Sequence, residues 1–224
     1  MPKILLALTS NDKIGDTDRK TGFYVPEAAH PYRVFTAAGY DVEFVSVKGG
    51  EPPKDGVKAA DTEVAKFLHD LSDRLTDTAT ADQVDAADYD AIFYVGGHGT
   101  MWDFPNCEEL AKLAAGIYAR GGVVAAVCHG PAGLVNIQLD TGAYLVNGKQ
   151  LTAFSNEEET IVGLAHAVPF LLESRLIERG ARFSKVDAFA EHAVADGRLI
   201  TGQNPASATK TAELVVQALR SKTG

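Results

Sequence analysis

Apolar positions along the chain fall into short continuous runs separated by longer amphipathic stretches. Residues 3–8 (KILLAL) are apolar after the first lysine and do not alternate, the pattern of a strand buried on both faces of a parallel sheet. A polar, glycine-containing loop over 9–22 leads to a helix expected over 26–38 and stopped by Gly39, and residues 41–47 (DVEFVSV) alternate enough for a second strand. Residues 91–95 (AIFYV) form a third buried strand closed by Gly96-Gly97-His98-Gly99. The spacing then predicts a helix over 106–120, with Asn106 as N-cap and Glu108 and Glu109 in the first turn. Residues 123–127 (VVAAV) are the most strand-like of all, and a helix is expected over 132–137 with Pro131 in its early turn. Further on come a strand at 150–154, an acidic helix start at 156–159 and a helix at 168–179. A strand pair near 183–189 and 199–201 and a C-terminal helix at 205–219 complete the reading. The alternation of strand and helix implies a single α/β domain over 1–224. Its core is a doubly wound, mostly parallel, flavodoxin-like sheet with helices on both faces. Residues 49–90, poor in apolar positions, read as a helical surface insertion.

Composition narrows the partners. With 21 Lys+Arg against 30 Asp+Glu the net charge is 21 − 30 = −9, and no basic block interrupts the acidic balance, which argues against nucleic acid. Apolar residues make up 46% of the 224, yet no run approaches the roughly 18 that span a bilayer. The start, MPKILLALTS, lacks the features of a signal peptide, so a cytoplasmic protein without membrane contact is expected. In that compartment the two cysteines, Cys107 and Cys128, are not expected to pair.

Cys128 stands apart from Cys107. It lies in Ala126-Val127-Cys128-His129-Gly130, a small-x-nucleophile-x-Gly turn between a buried strand and a helix, which is a nucleophile elbow with cysteine in place of serine. A helix N-terminus there is expected to favour thiolate over thiol. The backbone N–H groups of His129 and of Gly97, at the neighbouring strand end, are the expected oxyanion hole. Cys107, near a helix start, reads as a structural or surface thiol.

Five blocks resemble the ThiJ/PfpI superfamily, whose fold is that of class I glutamine amidotransferases: TGFYVPEAAHPY (21–32), AGYDVEFVS (38–46), GGHGTMWDFP (96–105), GGVVAAVCHGPAGL (121–134) and DGRLITGQNPASA (196–208). The chain is most similar to the branch of yeast-type small heat-shock chaperones with glutathione-independent glyoxalase (glyoxalase III) activity. The resemblance implies Cys128 as nucleophile, His129 as its partner in a Cys-His-acid triad, and Glu27 as a paired carboxylic acid working as general acid/base. For the triad acid, Glu157, Glu158 and Glu159 stand in a row. Glu159, just before Thr160-x-x-Gly163, is the expected residue, while Asn156, nearer the Phe, is an amide and cannot serve. His30 and His98 are expected to line the substrate site, with no metal and no cofactor. The implied activity is conversion of methylglyoxal to D-lactate (a D-lactate dehydratase-type lyase), with action on glycated amines as a second implied activity. The implied partners are a small 2-oxoaldehyde, a second copy of the chain in a homodimer, and unfolded client proteins. The competing classes are a holding chaperone or oxidative-stress protein with a redox-sensitive Cys128, and a cysteine peptidase or amidase.

Overall fold

The computed structural model describes residues 1–57 and 60–222. Six strands form the central sheet: β1 (Lys3–Leu8), β2 (Asp41–Ser46), β3 (Ala91–Tyr94), β4 (Val123–Val127), β5 (Ala193–Asp196) and β6 (Leu199–Gly202). They lie in the order β2-β1-β3-β4-β6-β5. All pair in parallel except the edge strand β5, which runs antiparallel to β6. The principal helices are α1 (Pro26–Ala37), α2 (Thr62–Asp70), α3 (Glu108–Ala119), α4 (Asn156–Ile161), α5 (Leu172–Glu178) and α6 (Ala208–Lys222).

Strand alternation distributes the apolar residues between two cores. Ile4, Leu6 and Leu8 of β1 and Phe93 of β3 join Phe35 of α1, Val64 and Phe67 of α2, and Val215 of α6. Leu5, Ala7, Ile92 and Ala126 face the other way, onto Leu113 and Ile117 of α3 and Leu172 and Leu176 of α5. Because both faces are covered, the central strands can be apolar throughout, which is why KILLAL and VVAAV carry no alternation. The doubly wound, mostly parallel sheet expected from the sequence is therefore the observed one.

Several boundaries differ for local reasons. Residues 104–106 turn as a 3-10 segment, so α3 starts two residues later than expected and Cys107, not Asn106, holds the N-cap position. After β4 the chain makes a 3-10 turn over Gly130–Leu134 instead of an α-helix. Residues 182–183 pair with Gln150–Leu151 in a separate two-stranded sheet, and the partner of β6 is β5. Of the expected 49–90 insertion, residues 58 and 59 lie outside the described residues. The rest includes a strand at Lys54–Asp55 paired with Phe23–Tyr24, and α2, whose N-cap Asp61 accepts from the N–H groups of Glu63 and Val64.

The sheet places two loops side by side. Tyr94 pairs with Ala126, so the loops leaving β3 (96–99) and β4 (128–130) emerge together at the carboxyl end of the sheet, where doubly wound folds bind their ligands. Their contact is tight: a Cβ at Gly130 would sit 2.2 Å from the carbonyl oxygen of Tyr94. Gly130→Ala must therefore force β3 and β4 apart or distort the turn, and overpacking of this kind costs about 1–3 kcal/mol. Urea unfolding should show a lower midpoint for Gly130→Ala; an unchanged midpoint would mean that the turn relaxes freely.

Candidate active site

Cys128 adopts φ +59°, a left-handed conformation that costs a non-glycine residue roughly 1–2 kcal/mol. Two hydrogen bonds hold it there. Its N–H donates to the carbonyl of Gly202 at the end of β6 (2.9 Å), and its own carbonyl accepts from the N–H of Phe154 (2.8 Å). The elbow is thus clamped between the neighbouring strand and the segment that leads into α4, with only 4% of Cys128 exposed.

Glu27 lies in the first turn of α1 and is completely buried. An acid placed there only to complement a helix dipole would remain solvated, and this one does not. It reaches the elbow from the opposite side: a Cβ on Gly96 would meet Glu27 Oε2 at 2.1 Å and Cys128 Cβ at 3.0 Å, so only glycine leaves room for both. Among the described residues neither carboxyl oxygen has a partner in full hydrogen-bond geometry. Burial pushes the Glu27 carboxyl up to about 8, while the nearby Cys128 thiol and Gly96 N–H draw it part of the way back. Burial also raises the Cys128 thiol well above its usual value, and the Glu27 charge adds to the effect, whereas the His129 N–H opposes it. The expectation of a thiol acidified by a helix N-terminus is thereby corrected. The short 3-10 turn supplies little dipole, and the surroundings are apolar and acidic. Two acids this close cannot both ionise near neutral pH.

On the other side of the thiol lies an imidazole chain. Cys128 Sγ is 3.4 Å from His129 Nδ1, and His129 Nε2 is 2.7 Å from Glu159 Oε2. His98 Nε2 is 2.9 Å from the second oxygen, Oε1. Burial would raise the pKa of Glu159, but the hydrogen bonds from His129 and His98 outweigh it and hold the carboxyl at about 2. Burial, with His98 close by, lowers His129 to about 4 despite Glu159. The pattern assigns the His129 tautomer: its neutral imidazole donates Nε2–H to Glu159 Oε2, leaving the Nδ1 lone pair facing the thiol. The His129 ring is held between Phe154 and His98, with centroids 4.3 and 4.0 Å away.

The three consecutive glutamates separate by position. Glu157 is exposed and lies 3.7 Å from Lys185 Nζ. Glu158 is buried and accepts from the backbone N–H of Ser155 (2.8 Å) and Phe189 (2.8 Å), Ser155 Oγ (2.8 Å), Gln203 Nε2 (3.1 Å) and Asn204 Nδ2 (2.9 Å). It completes the capping box of α4 and ties in two loops; only Glu159 turns to the histidines. His30, expected to line the substrate site, has its Nε2 3.2 Å from Asp61 Oδ2. The donor atoms of His98, His129 and Glu159 lie within 4.8 Å of one another, a possible metal set, but the two His–Glu separations are ordinary hydrogen-bond lengths filled by N–H protons. The N–H of His129 faces the thiol; Gly97 follows Gly96 in the adjacent loop, with Gly22 and Tyr24 against its Cα, and among the described residues its N–H donates to no protein carbonyl. Sequence reasoning missed three neighbours: Phe154 against His129, the second carboxylate contact of His98, and Tyr24. The Tyr24 phenol is raised by burial and by the charges of Glu27 and Cys128. An aromatic just before the Ser155 capping box was the available signal for Phe154.

The DJ-1/PfpI family model matches residues 20–218. The chain is 39% identical to the glutathione-independent glyoxalase HSP31 of Saccharomyces cerevisiae, with 97% of this chain and 98% of that protein covered. It is 37% identical to glyoxalase 3 of Candida albicans at the same coverage. Among solved structures, the 24 kDa rapid encystment protein of Francisella tularensis superposes with a TM-score of 0.95 at 39% identity, covering 98% of this chain and 99% of that one. Candida albicans glyoxalase III superposes with a TM-score of 0.88 at 35% identity, with 97% of each chain covered. With the family model spanning most of its length and full-length relatives at this identity, the chain belongs to the DJ-1/PfpI family.

Proposed function

We propose that this protein is a glutathione-independent glyoxalase that converts methylglyoxal, or a related 2-oxoaldehyde, to the D-2-hydroxy acid. The observation that carries the reading is the placing of one thiol between a neutral imidazole nitrogen and a fully buried carboxylic acid with a pKa of about 8. Relatives whose names state this activity support it.

The chemistry follows from those groups. His129 Nδ1 takes the thiol proton as sulfur adds to the aldehyde carbon C1, and Glu27 gives its proton to the oxygen of the resulting hemithioacetal. The N–H groups of Gly97 and His129 steady that oxygen while it carries charge. Glu27, now a carboxylate, removes the C1 hydrogen; electrons move onto the C2 carbonyl oxygen, which is protonated by the His129 imidazolium, giving an enediol. Glu27 returns its proton to C2 and His129 takes the C1 hydroxyl proton, which leaves a thioester of the 2-hydroxy acid. Water, deprotonated by Glu27, hydrolyses it, and the departing sulfur regains its proton from His129. The net change is aldehyde plus water to hydroxy acid, so every proton returns to its starting group. Glu159 and His98 take no proton; they hold the His129 tautomer that makes Nδ1 the base.

Purified protein given methylglyoxal without glutathione should form D-lactate by a chiral assay. Cys128→Ala should lose at least about 100-fold in rate, since the other cysteine, Cys107, packs against the opposite core. Equal lactate from the variant would overturn the proposal.

Glu27 also makes a pH prediction with a definite sign. Its folded pKa of about 8 lies above the ordinary 4.5, so between these values the folded state binds a proton that the unfolded chain has lost. Its contribution to stability is fully present below about 4.5 and falls as pH rises through 8, by at most about 1.4 kcal/mol per pH unit. Glu27→Gln should therefore melt progressively higher relative to wild type between pH 5 and 8, while losing about 100-fold or more in activity. Parallel melting curves for the two proteins across that range would refute the assignment.

A further inference from the structure

Among the described residues only two non-glycine residues have a positive φ: Cys128, at +59°, and Phe189, at +62°. They lie on either side of one side chain. Phe154 donates its N–H to the Cys128 carbonyl, packs its ring on His129, and meets the ring of Phe189 at 6.2 Å between centroids. The strain at Phe189 is held by the surrounding polar groups. Its N–H donates to Glu158 Oε1 (2.8 Å), and the next carbonyl, of Ala190, accepts from Asn204 Nδ2 (2.7 Å). Val186 donates its N–H to Gln203 Oε1 (3.0 Å), and His192 donates its N–H to Ser207 Oγ (3.0 Å). The segment is a pinned rim rather than a mobile lid, and it presents a large aromatic ring that is 43% exposed. Nothing in the fold is stabilised by leaving that ring in water, and a strained backbone that persists one ring removed from His129 points to a role there.

The interior of the site leaves a substrate little choice of orientation. Cys128, His129 and Glu27 are at most 4% exposed, and exposure rises along the rings that lead away from them, from His129 through Phe154 to Phe189, so Phe189 is the outermost of the line. We propose that Phe189 is the specificity-determining residue that binds the substituent of the 2-oxoaldehyde, its free face favouring apolar and aromatic substituents over a bare methyl group. This rests on the glyoxalase reading. One aromatic contact of this kind corresponds to about a tenfold change in rate constant or affinity.

The test compares wild type, Phe189→Ala and Phe189→Tyr on methylglyoxal and phenylglyoxal. Phe189→Ala should lower kcat/KM for phenylglyoxal about tenfold through KM, leave methylglyoxal within about twofold, and recover in Phe189→Tyr, which keeps the ring. An unchanged phenyl-to-methyl ratio, or equal loss on both substrates, would overturn the proposal. A second readout needs no turnover: the rate at which Cys128 is alkylated by phenacyl bromide relative to iodoacetamide, located by peptide mass. Phe189→Ala should lower that ratio, and a constant ratio would likewise overturn the assignment. Should wild type form no hydroxy acid from either aldehyde, the glyoxalase reading falls while the alkylation ratio still decides the role of Phe189.

Discussion

Two weak acids buried side by side can part with only one of their protons near neutral pH, and the arrangement around Cys128 is built on that restriction. Glu27 has no cation beside it and no full hydrogen bond among the described residues, so burial decides its state and leaves it protonated. A protonated Glu27 is what lets a negative charge appear on sulfur or on a substrate oxygen. If Glu27 were ionised in the resting state, its charge would oppose each of those steps. The position of α1, which delivers Glu27 from its first turn, and the glycine at 96, which leaves space for the carboxyl, serve the same end.

The elbow is the second constraint, and it explains features that look unrelated. A left-handed Cys128 needs its peptide groups held from outside, and the holders are Gly202 at the end of β6 and Phe154 ahead of α4. Phe154 thereby acquires its place against the His129 ring, and Ser155, next in the chain, caps α4 and aims Glu159 at the same imidazole. Backbone strain, ring packing and the Glu159 carboxylate are consequences of one clamp. Successive helical residues point about 100° apart, so Glu158 must turn elsewhere, and it meets the donors of Phe189, Gln203 and Asn204.

Much of the fold was legible because parallel strands buried on both faces leave an unambiguous apolar signature; KILLAL, AIFYV and VVAAV all became central strands. The errors fell where tertiary contacts overrule local preference. Asn106 is a good cap by type, yet Pro105 draws it into a 3-10 turn; Pro131 suits a helix start, yet the turn after the elbow stays 3-10. The elbow at Cys128 and His129 was legible because steric rules for such a turn operate over five adjacent residues. Glu27 was not legible from composition or spacing, since an acid in a first helical turn reads as a surface group and only the family resemblance singled it out. The choice among Glu157, Glu158 and Glu159 turns on which helix face meets His129, and periodicity alone does not supply that direction. Phe189 left no signal at all, because its importance lies in a backbone angle and in a contact with Phe154, 35 residues earlier in the chain.

Three carboxyl groups crowd this small region of an acidic protein, and each is neutralised differently. Glu27 keeps a proton, Glu158 is surrounded by five N–H and O–H donors, and Glu159 accepts two imidazole N–H groups. Among the described residues no Lys or Arg takes part in these hydrogen bonds, and the influences on the Cys128 thiol are burial and acids, opposed by the His129 N–H. Glu158 even adds to the field that raises the Cys128 thiol. A sulfur in that environment is not stored as a stable anion. In the proposed reaction it becomes nucleophilic as its proton moves to His129, whose own low basicity makes the transfer unfavourable until an aldehyde carbon is there to take the electron pair. On that mechanism the thiol is a slow target for alkylating agents in the resting state, because the nucleophile forms together with its bond to the substrate.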